Sequence, residues 1–202
     1  APHAHSVWFH PKTEEIISVD LGTNELWFSK INSSTDSFQP SSVQKFKMKD
    51  GSGPRHLVFH PKKNWIYVLN ELNNTVALLK TEQGESYEDS YISTLPNNFT
   101  DYNTAAEIKV TKDAKFLYVS NRGHQSITCF KINEFSGKLD LVSFTNTKGK
   151  TPRNFSLTLD EKYLVVANQD SNNLVSFLRN KITGKLTYVD EIKAPTPVYV
   201  LF

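Results

Sequence analysis

The sequence is poor in several things whose absence narrows what it can do. It has one cysteine, Cys129, in 202 residues, which excludes a disulfide framework and any multi-cysteine metal site. It has almost no net charge, 23 Lys and Arg standing against 21 Asp and Glu. With no long run of one sign either, it lacks the broad field that draws in nucleic acid or an anionic membrane. No stretch approaches ~18 uncharged apolar residues, so a membrane-spanning helix is excluded. Missing too are a phosphate loop, a G-x-G-x-x-G fingerprint, an H-E-x-x-H pair and a G-x-S-x-G elbow. The histidines and acids are not grouped at ligand spacing, so neither a metal nor a cofactor is expected. The first residues, Ala1-Pro2-His3-Ala4-His5, carry neither the basic nor the apolar region of a signal peptide, which points to a cytoplasmic protein. What is present, 38% hydrophobic and 12% aromatic residues, suffices for a folded core rather than a disordered chain.

That content is arranged as a repeat. Four segments share one grammar, in which a polar lead-in precedes a short apolar strand, a turn, a second strand ending in Asp or Asn, and a third strand. The first two strands read Ala4–Pro11 with Ile16–Asp20, Pro54–Pro61 with Trp65–Asn70, Ala105–Val110 with Phe116–Asn121, and Pro152–Leu157 with Tyr163–Asn168. Third strands are expected at Glu25–Ile31, Thr75–Lys80, Ser126–Ile132 and Asn173–Leu178. Fourth strands are expected at Val43–Met48, Tyr91–Leu95, Leu139–Phe144 and Leu186–Ile192. Leu21, Glu71, Arg122 and Gln169 are equivalent positions, separated by steps of 50, 51 and 47 residues. Such a period, with short β-branched and aromatic strands and no helical stripe, predicts an all-β propeller of about four blades, at 4–50, 54–100, 105–150 and 152–196. Pro197–Phe202 reads as the first strand of a further blade. The acidic Glu82–Asp89 reads as a hairpin tip and Asn32–Ser42 as a surface connection. His10 and His60, each followed by proline, read as turn residues, and Cys129 as packing within a third strand.

Two registers of the repeat carry charge. One, at the start of the first strand, holds His5, Arg55, Ala106 and Arg153. The other, just past the second strand, holds Leu21, Glu71, Arg122 and Gln169. Because neighbouring strands are antiparallel, both open at the same end of their blade and converge on one mouth of the central channel. Arg55, Arg122 and Arg153 there would hold a small anion bidentately. Glu71 among cations stays ionised and either accepts a proton or holds an arginine, while His5 suits a proton shuttle. A structural reading stands beside each: Arg55 and Arg153 tying blade to blade through loop carbonyls, Glu71 and Arg122 as ion-pair partners, His5 as a surface residue. His56 and His124 adjoin the registers and line the rim.

The run Gly53-Pro54-Arg55-His56-Leu57-Val58-Phe59-His60-Pro61, continuing to Asn70-Glu71-Leu72, resembles the hallmark segment of the seven-bladed lactonase propellers, the 6-phosphogluconolactonase type. Ala105–Ile108 with Leu117–Arg122, Pro152–Phe155 with Ala167–Gln169, and the opening His3-Ala4-His5-Ser6 resemble other blades of that family. The resemblance covers essentially the whole chain and matches the C-terminal part of a longer ring. It implies that the remaining blades are supplied by a longer chain, a second chain or self-association. It also implies that the catalytic residues are His5, Arg55, Glu71 and Arg122, with Arg153 and Gln169 matching further residues at that mouth; His56 and His124, at its rim, complete the expected substrate-binding set. The implied activity is hydrolysis of 6-phosphogluconolactone in the pentose phosphate pathway, by water attack with Glu71 or His5 as base and an arginine at the oxyanion. A related fungal enzyme, 3-carboxy-cis,cis-muconate cyclase, makes lactonisation an alternative, and a non-catalytic binding scaffold is a third reading.

Overall fold

Apolar segments this short, rich in Val, Ile, Phe and Tyr and closed by Asn, Asp and Gly turns, favour strands over helices. The computed structural model describes residues 1–82 and 85–202, and every regular element among them is a strand. Sixteen strands make four antiparallel four-stranded sheets, each a simple meander. The first blade comprises β1 (Ala4–Phe9), β2 (Ile16–Asp20), β3 (Glu25–Asn32) and β4 (Ser37–Lys47); the second, β5 (Pro54–Phe59), β6 (Trp65–Asn70), β7 (Thr75–Glu82) and β8 (Glu85–Ser93). The third holds β9 (Thr104–Val110), β10 (Phe116–Arg122), β11 (Ser126–Ile132) and β12 (Leu139–Asn146); the fourth, β13 (Pro152–Leu157), β14 (Tyr163–Asn168), β15 (Asn173–Arg179) and β16 (Leu186–Lys193). The inner strands touch in sequence, β1 against β5, β5 against β9, and β9 against β13. The fold is all-β, a propeller portion with its blades side by side.

The core lies between blades. Alternation along β6 sends Ile66 and Val68 toward Ile17, Val19 and Leu26 of the first blade, and Tyr67 and Leu69 toward Ile108, Leu117 and Val119 of the third. A strand with both faces covered needs a continuous apolar run, and Trp65–Leu69 supplies one. The third and fourth blades meet through Tyr118 and Cys129 against Phe155, Leu164 and Val166.

A polar latch repeats beside this packing. The Tyr67 hydroxyl donates to the Gly137 carbonyl of the next blade at 2.8 Å, and the Tyr118 hydroxyl to Gly184 at 2.7 Å. Gly184 has φ +75° and a Cβ there would fall 2.5 Å from Phe116 Cδ1, so the turn admits only glycine. His10 and His60 each turn Nδ1 back to accept backbone N–H groups two and three residues on, at 3.0–3.2 Å, as turn residues do.

Two expectations are corrected. Asn32–Ser42 is not all connection: β3 runs through Asn32 and β4 begins at Ser37, with Ile31 opposite Phe38. An outermost strand with solvated Ser, Gln and Lys side chains carries little apolar signal, which hid its first half. In the acidic stretch Glu82–Asp89, Gln83 and Gly84 lie outside the described residues, while Glu85–Asp89 run within β8. Pro197–Phe202 pairs with no described strand, and the Val200 N–H donates to Asn154 Oδ1 at 2.8 Å.

Candidate active site

At the start of each inner strand the ladder holds one residue too many. Pairing skips His5 between Ala4 and Ser6, Arg55 between Pro54 and His56, and Arg153 between Pro152 and Asn154. In the third blade Ala106 and Glu107 together face Ser120. A bulge re-aims side chains, so two consecutive residues can address one side of a strand that would otherwise alternate. One step beyond the second strand the backbone closes again: the N–H groups of Leu21, Glu71 and Gln169 donate to the carbonyls of His3, Gly53 and Thr151 at 2.8–3.0 Å. Those bonds set the second register beside the first, at the same end of each blade.

Glu71 is the hub. Its Oε2 lies 2.8 Å from Arg55 Nε and its Oε1 2.8 Å from Arg122 Nη2, so each oxygen holds one guanidinium. The Arg55 contact is off-line for a hydrogen bond and acts as an ion pair. Arg55, only 3% exposed, also ties blades together, since its Nη1 donates to the Ala106 carbonyl and lies 3.2 Å from His56 Nε2. Its Nη2 makes no hydrogen bond among the described residues. Burial, followed by the Arg122 charge, lowers its pKa to about 10, which leaves it a cation at neutral pH. Arg122 reaches the Thr104 and Ala105 carbonyls at 3.4 Å, and Arg153 Nη1 contacts Gln169 Oε1 at 3.5 Å.

His5 completes the mouth. Its ring sits 5.1 Å from that of His56 and 6.5 Å from His3. Burial first, then the Arg55 and Arg153 charges, push its pKa down to about 4, so it stands unprotonated at neutral pH with a buried Nδ1 that has no hydrogen-bond partner among the described residues. His124 lies apart: it bonds Ser126 Oγ at 2.7 Å between the rings of Phe99 and Phe144, and no described contact joins it to the arginines.

Two residues that the registers did not single out belong to this neighbourhood. Glu107, 1% exposed, lies with Oε1 3.1 Å from His56 Nδ1 and 3.5 Å from Lys109 Nζ, while Asn154 Nδ2 donates to its Oε2. Burial works to raise its pKa, but the His56 contact, Lys109 and the Ile108 N–H outweigh it and hold the carboxylate below its ordinary value. The signal was one step along the first register, where Ser6, His56, Glu107 and Asn154 are all polar inside inner strands. With three arginines and two carboxylates, the mouth keeps excess positive charge.

Residues 1–202 match the family described as lactonase, 7-bladed beta-propeller. The chain belongs to that family. Among relatives of the lactonase propeller, 6-phosphogluconolactonase of Bacillus subtilis is 39% identical over 162 residues, covering 76% of this chain and 44% of its own. A protein from Lactobacillus plantarum of known structure superposes with a TM-score of 0.91 at 31% identity, covering 98% of this chain and 57% of that one. The periplasmic gluconolactonase of Pseudomonas aeruginosa gives a TM-score of 0.91 at 26% identity, over 97% and 55%. The chain thus spans about half the length of the proteins it matches. No helix among the described residues is long and apolar enough to cross a membrane.

Proposed function

We propose that this lactonase propeller hydrolyses a phosphorylated sugar lactone, 6-phosphogluconolactone, to 6-phosphogluconate within the pentose phosphate pathway of the cytoplasm. The reading rests on one observation: three arginines, a carboxylate clamp and an unprotonated histidine share one mouth. Both Glu71 oxygens are committed to guanidiniums, which makes Glu71 the holder of Arg55 and Arg122, and His5 the proton acceptor. Water attacks the lactone carbonyl as His5 takes its proton, and the carbonyl electrons move onto an oxyanion held by an arginine. Collapse breaks the bond to the ring oxygen, which takes the proton back from His5. An anionic substrate offsets the arginine field, so binding raises the basicity of His5 when it is needed.

The same reading has the two open flanks covered by further blades, since the family has seven and four are described here. In the complete ring, 6-phosphogluconolactone should open faster than it does spontaneously, measured by acid release. No acceleration, together with turnover of a carboxymuconate, would transfer the assignment to lactone formation.

A further inference from the structure

One residue deeper than the arginine register, the inner strands carry a hydrogen-bonded belt across all four blades. Ser6 Oγ donates to the Arg55 carbonyl at 2.7 Å, His56 Nδ1 meets Glu107 Oε1 at 3.1 Å, Asn154 Nδ2 donates to Glu107 Oε2, and Asn154 Oδ1 accepts from Val200. Glu107 is its centre, a carboxylate in the channel wall touching neither Arg55 nor Glu71 directly. Burying such a charge is costly, and the contacts with His56, Lys109 and Asn154 offset that cost without explaining why a carboxylate stands there.

The directions of the hydrogen bonds supply the reason. An ionised Glu107 can only accept, so His56 Nδ1 must carry its proton and donate. Arg55 Nη1 can only donate, so His56 Nε2 must offer its lone pair. The two neighbours therefore fix one neutral tautomer of His56, and the ring passes that constraint to the guanidinium. Arg55 is then held on two edges, by Glu71 at Nε and by His56 and Ala106 at Nη1, with Nη2 left for an anion.

We propose that Glu107 is a positioning residue, fixing the His56 tautomer so that His56 holds Arg55 in its anion-binding pose. The part concerning turnover rests on the lactonase reading; the part concerning the tautomer does not. In Glu107→Gln one oxygen is replaced by an NH₂ group, and three donors, His56 Nδ1–H, the Ile108 N–H and Asn154 Nδ2–H, are left with the one acceptor that remains. Where the amide NH₂ faces His56, the His56 proton moves to Nε2 and meets Arg55 as a second donor; where it faces Asn154, that contact is lost and the Nδ1–H tautomer stays, so the two orientations together give a mixture.

The test uses the ring-complete protein with ¹⁵N-labelled histidine, the His56 signals being assigned by their loss in His56→Gln. The wild type should show a single Nδ1–H tautomer at neutral pH. Glu107→Gln should give a mixed or Nε2–H form and a kcat/KM for 6-phosphogluconolactone lower by roughly ten- to a hundredfold, the scale of a misplaced binding group. An Nε2–H or doubly protonated His56 in the wild type would overturn the proposal without recourse to any variant. So would a Glu107→Gln protein that folds and keeps both tautomer and turnover. If the wild type turns over no lactone, the functional reading fails, and the tautomer arm still decides the role of Glu107.

Discussion

Glu71 is paired with two guanidiniums and His5 with none, and in the proposed hydrolysis the two divide the chemistry accordingly. A carboxylate with each oxygen paired is a poor base and a good brace; a histidine kept neutral by burial and by cations is available for a proton. Its pH dependence follows directly. In that proposed role His5 acts unprotonated; its pKa is lowered to about 4, so kcat/KM should be level from neutral pH down to about 5 and fall only as pH approaches 4. Arg153→Ala removes one of the charges holding it down and should move the fall to higher pH. A wild-type profile breaking near the ordinary histidine value of ~6.5 would exclude His5 as the base, provided circular dichroism shows the fold intact. Arg122 gives a second prediction. It lacks the blade-tying bond that Arg55 makes to Ala106, so Arg122→Ala reports more cleanly on substrate. A charge-assisted contact is worth ~1.5–3 kcal/mol, so a phosphorylated lactone should lose roughly ten- to a hundredfold relative to its unphosphorylated analogue. Equal losses would assign this arginine to the lactone carbonyl or to the brace. Register alone brought together Arg55, Glu71, Arg122, Arg153, Gln169 and His5, because equivalent repeat positions share a place around the axis. His124, which only adjoins the second register, meets Phe99, Phe144 and Ser126 and none of those residues among the described contacts. Glu107 and Asn154 were hidden because a polar residue one place into a strand gives no sign of which partner it meets across the blade boundary.

At the scale of the element, inner and middle strands were legible because both their faces are buried, and the resulting apolar runs stand out from their turns. Ser126–Ile132 was placed to the residue. Outer strands such as β4 and β8 were truncated in the reading, their solvated faces resembling loop. The bulges were not legible at all, since an extra residue in a ladder is a property of pairing rather than composition. Yet the bulges give the site its form, turning His5, Arg55 and Arg153 out of strict alternation. Between blades, the tyrosine–glycine latches are as much a part of the architecture as the apolar core. Tyr118→Phe leaves the buried Gly184 carbonyl without its hydroxyl donor and should cost about 1–3 kcal/mol. Gly184→Ala, strained by its positive φ and by Phe116, should cost a comparable ~1–3 kcal/mol through overpacking. Denaturant titration of the ring-complete protein measures both, and a Gly184→Ala midpoint equal to wild type would show that the turn relaxes freely.

For the whole molecule, the question is what covers its two flanks. Trp8 packs into the core shared with the second blade, whereas Val7 and Phe9 on the opposite face of β1 are 61% and 66% exposed. On the first blade Phe38 is 73% exposed, and on the fourth Ile192 is 61% exposed. In the last blade Leu164 and Val166 enter the core shared with the third, and alternation leaves Val165 on the far side, in a cavity it lines with Leu174 and Ile192. Elsewhere in the chain, strands of this composition are buried on both faces, and apolar patches beyond a few hundred Å² are rarely left open. The peptide of residues 1–202 on its own should therefore self-associate rather than persist as a monomer. Its catalysis should be weak as well, because His5 lies in the first inner strand, beside the open flank, and has no neighbouring blade on that side to complete its pocket. Sedimentation velocity and a lactone assay on that peptide test both expectations together. A monodisperse 23.0 kDa species that melts cooperatively and turns over lactone as fast as the complete ring would show that the flanks need no cover, and that four blades are enough to build the mouth.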